Sequence, residues 1–218
     1  MRTALLLAAP LLLVATALAL AIALGGPSAP PPLASIAAPL RSVDWSALPP
    51  PSSFAARDGE RLAYRAYAPA GGGARATVVL IHGSSARSES VHPLARGLAR
   101  AGYAVVVPDV RGHGASGPKG RVRYIGQLED DLEDLVRAAA PGSPRILAGF
   151  SSGGGYALRF AGGARQALFD RYVLLSPFLG PRAPTYRAGP WVGVGVPRIV
   201  ALTLLNRAGV SALNGLPV

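Results

Sequence analysis

The sequence predicts an α/β fold: a doubly wound, mostly parallel sheet with helices on both faces. Three observations carry that expectation. Runs such as Ala76–Ile81 and Ala104–Val107 are apolar at every position, as strands covered on both faces are. Segments with helical spacing of apolar residues lie between them. Strand-like and helix-like stretches alternate along the chain, which is the signature of βαβ units.

Taken in order, Ala4–Leu24 is an uncharged, apolar run. A helix of that length covers about 30 Å, the thickness of bilayer hydrocarbon. Arg2 precedes it, so the positive-inside rule keeps the N-terminus cytoplasmic and sends the rest of the chain across. The apolar region of a cleaved signal is usually about 7–15 residues long. The greater length here favours a membrane anchor over residues 1–24 rather than a cleaved signal peptide, with an extracytoplasmic domain in either case. Residues 25–52 are rich in proline and read as a semi-rigid linker.

The core then spans residues 53–177. Asp58-Gly59 marks a hairpin between Phe54–Ala56 and Leu62–Tyr67. The strand Ala76–Ile81 is followed by a helix over Glu89–Ala101 that stops at Gly102, and by a second buried strand, Ala104–Val107. Ile125, Leu128, Leu132, Leu135 and Val136 fall on one helical face. Glu129, Asp130, Asp131, Glu133 and Asp134 fall between them, which reads as a solvated acidic surface. The strand Arg145–Phe150, a helix over Ser152–Phe160 and the strand Tyr172–Leu175 complete the pattern.

Composition narrows the chemistry. The chain has no cysteine, which excludes disulfides, a thiol nucleophile and cysteine-ligated zinc. It carries 22 Lys+Arg against 11 Asp+Glu, a formal charge of +11. The arginines are scattered and no basic run of nucleic-acid-binding type occurs, so no nucleic-acid partner is expected. The three histidines lack metal-ligand spacing, and neither a metal nor a cofactor is implied.

Gly149-Phe150-Ser151-Ser152-Gly153 matches G-x-S-x-G. It starts at the end of a buried strand and opens onto a helix, the context in which that motif forms a strained turn displaying its serine. Gly149, Gly153 and Gly154 remove the Cβ atoms that would collide in such a turn. His82-Gly83-Ser84-Ser85 directly follows the first central strand, and Asp109-Val110-Arg111-Gly112-His113-Gly114-Ala115-Ser116-Gly117 follows the next.

With these pieces in this order, the sequence resembles the α/β-hydrolase superfamily, in the branch of monoacylglycerol lipases, lysophospholipases and serine aminopeptidase-like hydrolases. The resemblance covers about residues 54–177. It implies a serine hydrolase acting on carboxylic, lipid-like esters, with Ser151 as nucleophile and the backbone amides of Ser84 and Ser152 as the oxyanion hole. It makes His82, Gly83, Asp109, Arg111 and His113 structural parts of the neighbouring loops. Residues 178–218 resemble the start of a lid, with apolar stretches at Trp191–Val196 and Ile199–Leu205.

The sequence departs from the family after Ser151. No histidine follows, and the only acid, Asp170, precedes a strand instead of following one. The expectation is a truncated, catalytically incomplete chain; the alternative is a membrane-tethered, non-catalytic binding or interaction protein. Of the remaining histidines, His92 starts a helical turn and reads as solvent-facing.

Overall fold

Alternation of side chains along two central strands organises the molecule. In the computed structural model, residues 2–27, 43–119, 122–186 and 194–218 are described, with side chains from residue 10 onward. The expected linker and the apolar stretch beginning at Trp191 therefore lie largely outside the described residues.

Six strands form one sheet: β1 (Ser52–Ala55), β2 (Arg61–Tyr67), β3 (Thr77–Ile81), β4 (Ala104–Pro108), β5 (Arg145–Phe150) and β6 (Arg171–Leu175), in the spatial order β1-β2-β4-β3-β5-β6. β1 and β2 form the hairpin, with Phe54 opposite Leu62, and β2 runs antiparallel to β4. The pairs β3/β4, β3/β5 and β5/β6 are parallel. Every residue of β3 is buried. Val79 and Ile81 join a core with Leu132, Leu135, Leu147 and Phe160 on one face. Val78 and Leu80 join Val91, Ala95, Val105 and Val107 on the other. The period of two thus feeds two cores at once, which is why these strands carry no polar alternation.

Three helices make the crossovers: α2 (His92–Arg100), α3 (Gln127–Ala139) and α4 (Ser152–Ala161); α1 (Arg2–Leu24) precedes the sheet and α5 (Val196–Arg207) follows it. Pro93 sits in the first turn of α2, where its missing N–H costs nothing. Gly102 follows the helix with φ 88°, and its N–H caps the Ala99 carbonyl at 3.0 Å. Glu129 and Asp130 in the first turn of α3 and Arg137 in its last match the helix dipole.

Two expectations for this region need correction. Ile125 is 93% exposed, because Gly126 at φ 102° starts α3 only after it. The acidic face is not solvated: Asp130, Asp131 and Asp134 are buried. Arg57 reaches Asp130, Glu133 and Asp134 at 2.7–2.9 Å, and Arg165 also pairs with Asp130. Arg111 grips Asp131 through two bonds of 2.6 and 2.7 Å. Helical periodicity identifies a polar face, but arginines far away in sequence decide whether water or protein covers it.

The described residues divide into two compact units, Ser42–Arg187 holding the sheet, and Met1–Arg41 together with Ala188–Val218. In the second unit α1 packs against α5. Among the described residues no helix is long and apolar enough to cross a membrane. β6 is the outer strand of the sheet and leaves Val173 and Leu174 exposed.

Candidate active site

At the end of β5 the chain must turn from strand to helix within one residue, and Ser151 is that residue. Its backbone lies at φ 56°, ψ −119°, a region costing a non-glycine residue about 1–3 kcal/mol. The surroundings hold it there. The Ser151 N–H donates to the Leu175 carbonyl at 3.0 Å. The Ser151 carbonyl accepts from the N–H groups of Gly154, Phe178 and Gly155 at 2.9, 2.8 and 3.2 Å. Two of the four bonds come from β6 and the segment after it, so the turn is fixed from outside as well as by its own helix.

Glycine is required here by space. A Cβ on Gly149 would collide with the Gly153 carbonyl, and one on Gly153 would sit 2.5 Å from the His82 and Ile81 carbonyl oxygens. On Gly154 it would lie 2.9 Å from the Pro177 Cβ. Gly155, which the sequence reading did not single out, has the Phe178 carbonyl in the same position. Gly83 packs against the nucleophile candidate itself: a Cβ there would be 3.3 Å from the Ser151 Cβ. The loop after β3 therefore passes directly beside Ser151. Within that loop Ser85 takes φ 54° and the Ala86 N–H closes a long 3.4 Å bond to the Gly83 carbonyl. Among the described residues, the Ser84 and Ser152 amides donate to no protein acceptor.

His82 ties the loop after β3 to the loop after β4. It is buried; its Nε2 accepts from the Val110 N–H at 3.1 Å, so Nδ1 carries the proton and donates to the Gly83 carbonyl at 2.8 Å. Burial pushes its pKa below the usual histidine value, keeping it neutral. With both nitrogens engaged it has no lone pair for Ser151. Asp109 bridges the same two loops: one oxygen accepts from the Ser88 N–H at 2.6 Å, the other from the Ala115 N–H at 2.9 Å. Gly114 passes so close to this carboxylate that no side chain fits. Arg111 spans Asp131 and Asp58, with 3.0 Å to the latter, and both partners hold its guanidinium charged. Burial pushes the Asp131 carboxyl upward against the pull of Arg111. The Ser116 hydroxyl accepts from the Ala63 N–H at 2.8 Å. His113 lies half-buried with Nδ1 3.3 Å from the Arg111 carbonyl and its ring 5.3 Å from that of His82.

His92 is a correction. Instead of facing solvent it is fully buried: Nε2 donates to the Asp44 carbonyl at 3.1 Å, and Nδ1 accepts from the Tyr67 hydroxyl at 3.0 Å. It is a polar connector in the core. Asp170 accepts from the Arg145 N–H at 2.7 Å and thus links the starts of β5 and β6. Among the described residues no three His, Asp or Glu side chains converge to hold a metal ion.

Sequence reasoning missed a cleft of about 730 Å³ between the loops after β3 and β4, lined by Ser85, Arg87, Ser90, His113, Gly114 and Lys119 among others. It adjoins the turn carrying Ser84. Its only sequence trace is that both glycine-rich motifs follow neighbouring strands.

Comparison with known proteins fits this geometry. The family described as "Serine aminopeptidase, S33" matches residues 72–211. A monoacylglycerol lipase of Mycolicibacterium smegmatis is 39% identical over 130 residues, covering 57% of this chain and 45% of that protein. Among solved structures, a soluble variant of monoglyceride lipase from Saccharomyces cerevisiae, bound to a substrate analogue, superposes with a TM-score of 0.52 at 26% identity, over 60% of this chain and 45% of that one. A probable hydrolytic enzyme from Pseudomonas aeruginosa gives 0.51 at 26% identity, over 62% and 43%. The chain thus spans less than half the length of these relatives.

Proposed function

Since the chain belongs to the serine aminopeptidase S33 family of α/β hydrolases, we propose that it is built for nucleophilic attack on carboxylic esters of lipid-like character, with Ser151 as the attacking group. The observation that carries this reading is the strained backbone of Ser151, held by four hydrogen bonds beside Gly83. Strain of this kind persists only where the surroundings enforce it, and it gathers at functional sites. The Ser151 Oγ would attack the ester carbonyl carbon and release the alcohol, leaving an acyl group for water to remove. The amides of Ser84 and Ser152, which have no protein acceptor among the described residues, would take the negative charge of the tetrahedral intermediate. A preorganised donor of this type is worth about 2.7–4 kcal/mol of barrier. Lipid-like esters follow from the similarity to a monoacylglycerol lipase. The uncharged apolar run of residues 4–24 behind Arg2 supports reading them as a membrane anchor, with a signal peptide as the alternative, and either one leaves the sheet-bearing unit extracytoplasmic.

Attack also requires a proton acceptor on Ser151. Among the described residues His82 and His92 have both ring nitrogens engaged, His113 is held through Nδ1 at the Arg111 carbonyl, and no histidine is hydrogen-bonded to Ser151. That observation favours a second reading, in which this chain by itself binds ester-like ligands without turning them over. A fluorophosphonate probe separates the two. The first reading predicts labelling of the 218-residue chain that is slow, confined to one site and abolished by Ser151→Ala. No labelling supports the binding protein. Labelling that survives Ser151→Ala contradicts the assigned nucleophile.

A further inference from the structure

The unit formed by α1 and α5 has an unusual surface. From Pro10 to Leu24, α1 carries no charge, and Leu11, Leu12, Leu13, Val14, Leu20 and Leu24 are 54–79% exposed. Only Leu18, Ala21 and Ile22 are partly covered. α5 buries Ala201 and Leu202 but exposes Ile199, Val200 and Leu204. A helix that is apolar all round is stable inside a protein or in lipid, and here most of that surface is uncovered. The whole unit, residues 1–41 and 188–218, contains Arg2, Arg41, Arg198 and Arg207 and no acid at all.

The junction of the two helices gives the second observation. Arg198 in the first turn of α5 places its guanidinium on the C-terminal carbonyls of α1: Nε donates to the Ile22 oxygen at 2.7 Å and Nη2 to the Ala23 oxygen at 3.4 Å. Nη1 donates to the Pro217 oxygen at 2.8 Å. The backbones meet closely enough that a Cβ on Gly195 would strike the Gly25 carbonyl, and one on Gly25 would come within 2.8 Å of the Pro197 Cβ. In water the last carbonyls of a helix are satisfied by solvent. Where water is scarce they need a protein donor, and a cation there also offsets the helix dipole.

We propose that α1 and α5 form a single membrane-docking unit whose partner is an anionic lipid bilayer, with Arg198 as the clasp that joins the N-terminal helix to α5. The inference rests on the reading of residues 4–24 as a membrane segment and extends it: α1 is retained because α5 is built on it, and α5 itself meets lipid. Between Arg198 and Arg207 the apolar stretch of α5 is about 13 Å long, too short to span a bilayer and suited to lie at its interface. Arg41 and Arg207, unopposed by any acid in the unit, select an anionic surface over a neutral one.

Because the chain has no cysteine, a single one can report on each helix. Leu13→Cys and Val200→Cys, each carrying an environment-sensitive fluorophore in the full chain with its N-terminus verified by intact mass, are titrated with vesicles of phosphatidylcholine alone or mixed with phosphatidylglycerol. The expected result is a blue shift at both positions, stronger with phosphatidylglycerol. Arg198→Ala should remove the shift at position 200 and keep it at 13. Leu204→Asp, an exposed change that leaves the clasp intact, should lower the bound-to-free ratio about tenfold. A shift at 13 without one at 200 would mean that α1 anchors alone; the anchor reading would stand and this inference would fall. A shift at neither position overturns both. A lipid-independent shift at 200 that grows with protein concentration assigns the face to a second copy and overturns the inference. So does an Arg198→Ala protein that behaves as the parent.

Discussion

The turn at Ser151 and the loop after β4 flank the loop after β3 on opposite sides, yet they are held by different physics. The turn is shaped by exclusion: glycines at 149, 153, 154 and 155 let backbone meet backbone, and hydrogen bonds lock Ser151 into a costly conformation. The loop after β4 is shaped by charge: Asp109, Arg111, Asp131 and Asp58 satisfy one another and the surrounding amides. Both are tightly packed, since Gly114 leaves no room beside Asp109, but only the second depends on charged partners. The strain sits only in the first, where the chemistry is assigned, while the second is a relaxed brace.

Substitutions break this contrast in graded ways. Arg111→Ala should be the most damaging, because it leaves the buried carboxylate of Asp131 without its cation and frees the more exposed Asp58 beside it. A loss of about 3–5 kcal/mol is expected, seen as a large fall in the urea midpoint. Gly153→Ala should cost about 3 kcal/mol, since the added Cβ meets two backbone carbonyls that have no room to withdraw. Ser116→Ala strands the buried Ala63 N–H and should cost about 1–3 kcal/mol.

A smaller effect concerns pH. The Arg57 hydrogen bond holds the Glu133 carboxyl below its usual pKa, and the Tyr124 hydroxyl does the same for Asp130. Groups depressed by folding contribute stability above their unfolded pKa and lose it as pH falls through the folded one. Stability should therefore decline below about pH 4, and Arg57→Ala should flatten that decline in urea midpoints measured across the acid range. Arg57 is partly exposed, so the substitution itself should cost only about 1–2 kcal/mol at neutral pH. The smallest effect has the opposite sign. Ser151→Gly should raise stability by about 1 kcal/mol, by releasing the positive φ, while eliminating fluorophosphonate labelling. Equal stability of the two proteins would mean that the turn is not strained.

The two regions also differ in how readily sequence discloses them. The turn is legible because its requirements are local: small residues must stand at fixed distances from Ser151, directly after an apolar strand. Strands β3, β4 and β5 are legible for the same reason. The charged brace is not. The polarity of Asp130 and Asp134 is visible, but their partner Arg57 lies more than seventy positions away from each, and only the fold brings it across. His92 shows the same limit, since its partners come from residues 67 and 44. Ile125 looked like part of a helical face because periodicity does not register that Gly126 delays the start of α3. Pairing that depends on distant chain segments is a property of topology, and local pattern holds little trace of it.

The central proposal is that Ser151 projects its hydroxyl toward the amides of Ser84 and Ser152, which among the described residues meet no protein acceptor. A crystal structure of the chain after reaction with a fluorophosphonate tests it most directly. The account predicts a phosphonyl group on the Ser151 Oγ, with its oxygen about 2.7–3.1 Å from both amide nitrogens. An adduct on another side chain, or a phosphonyl oxygen turned toward solvent with the Ser84 amide facing away, would contradict it.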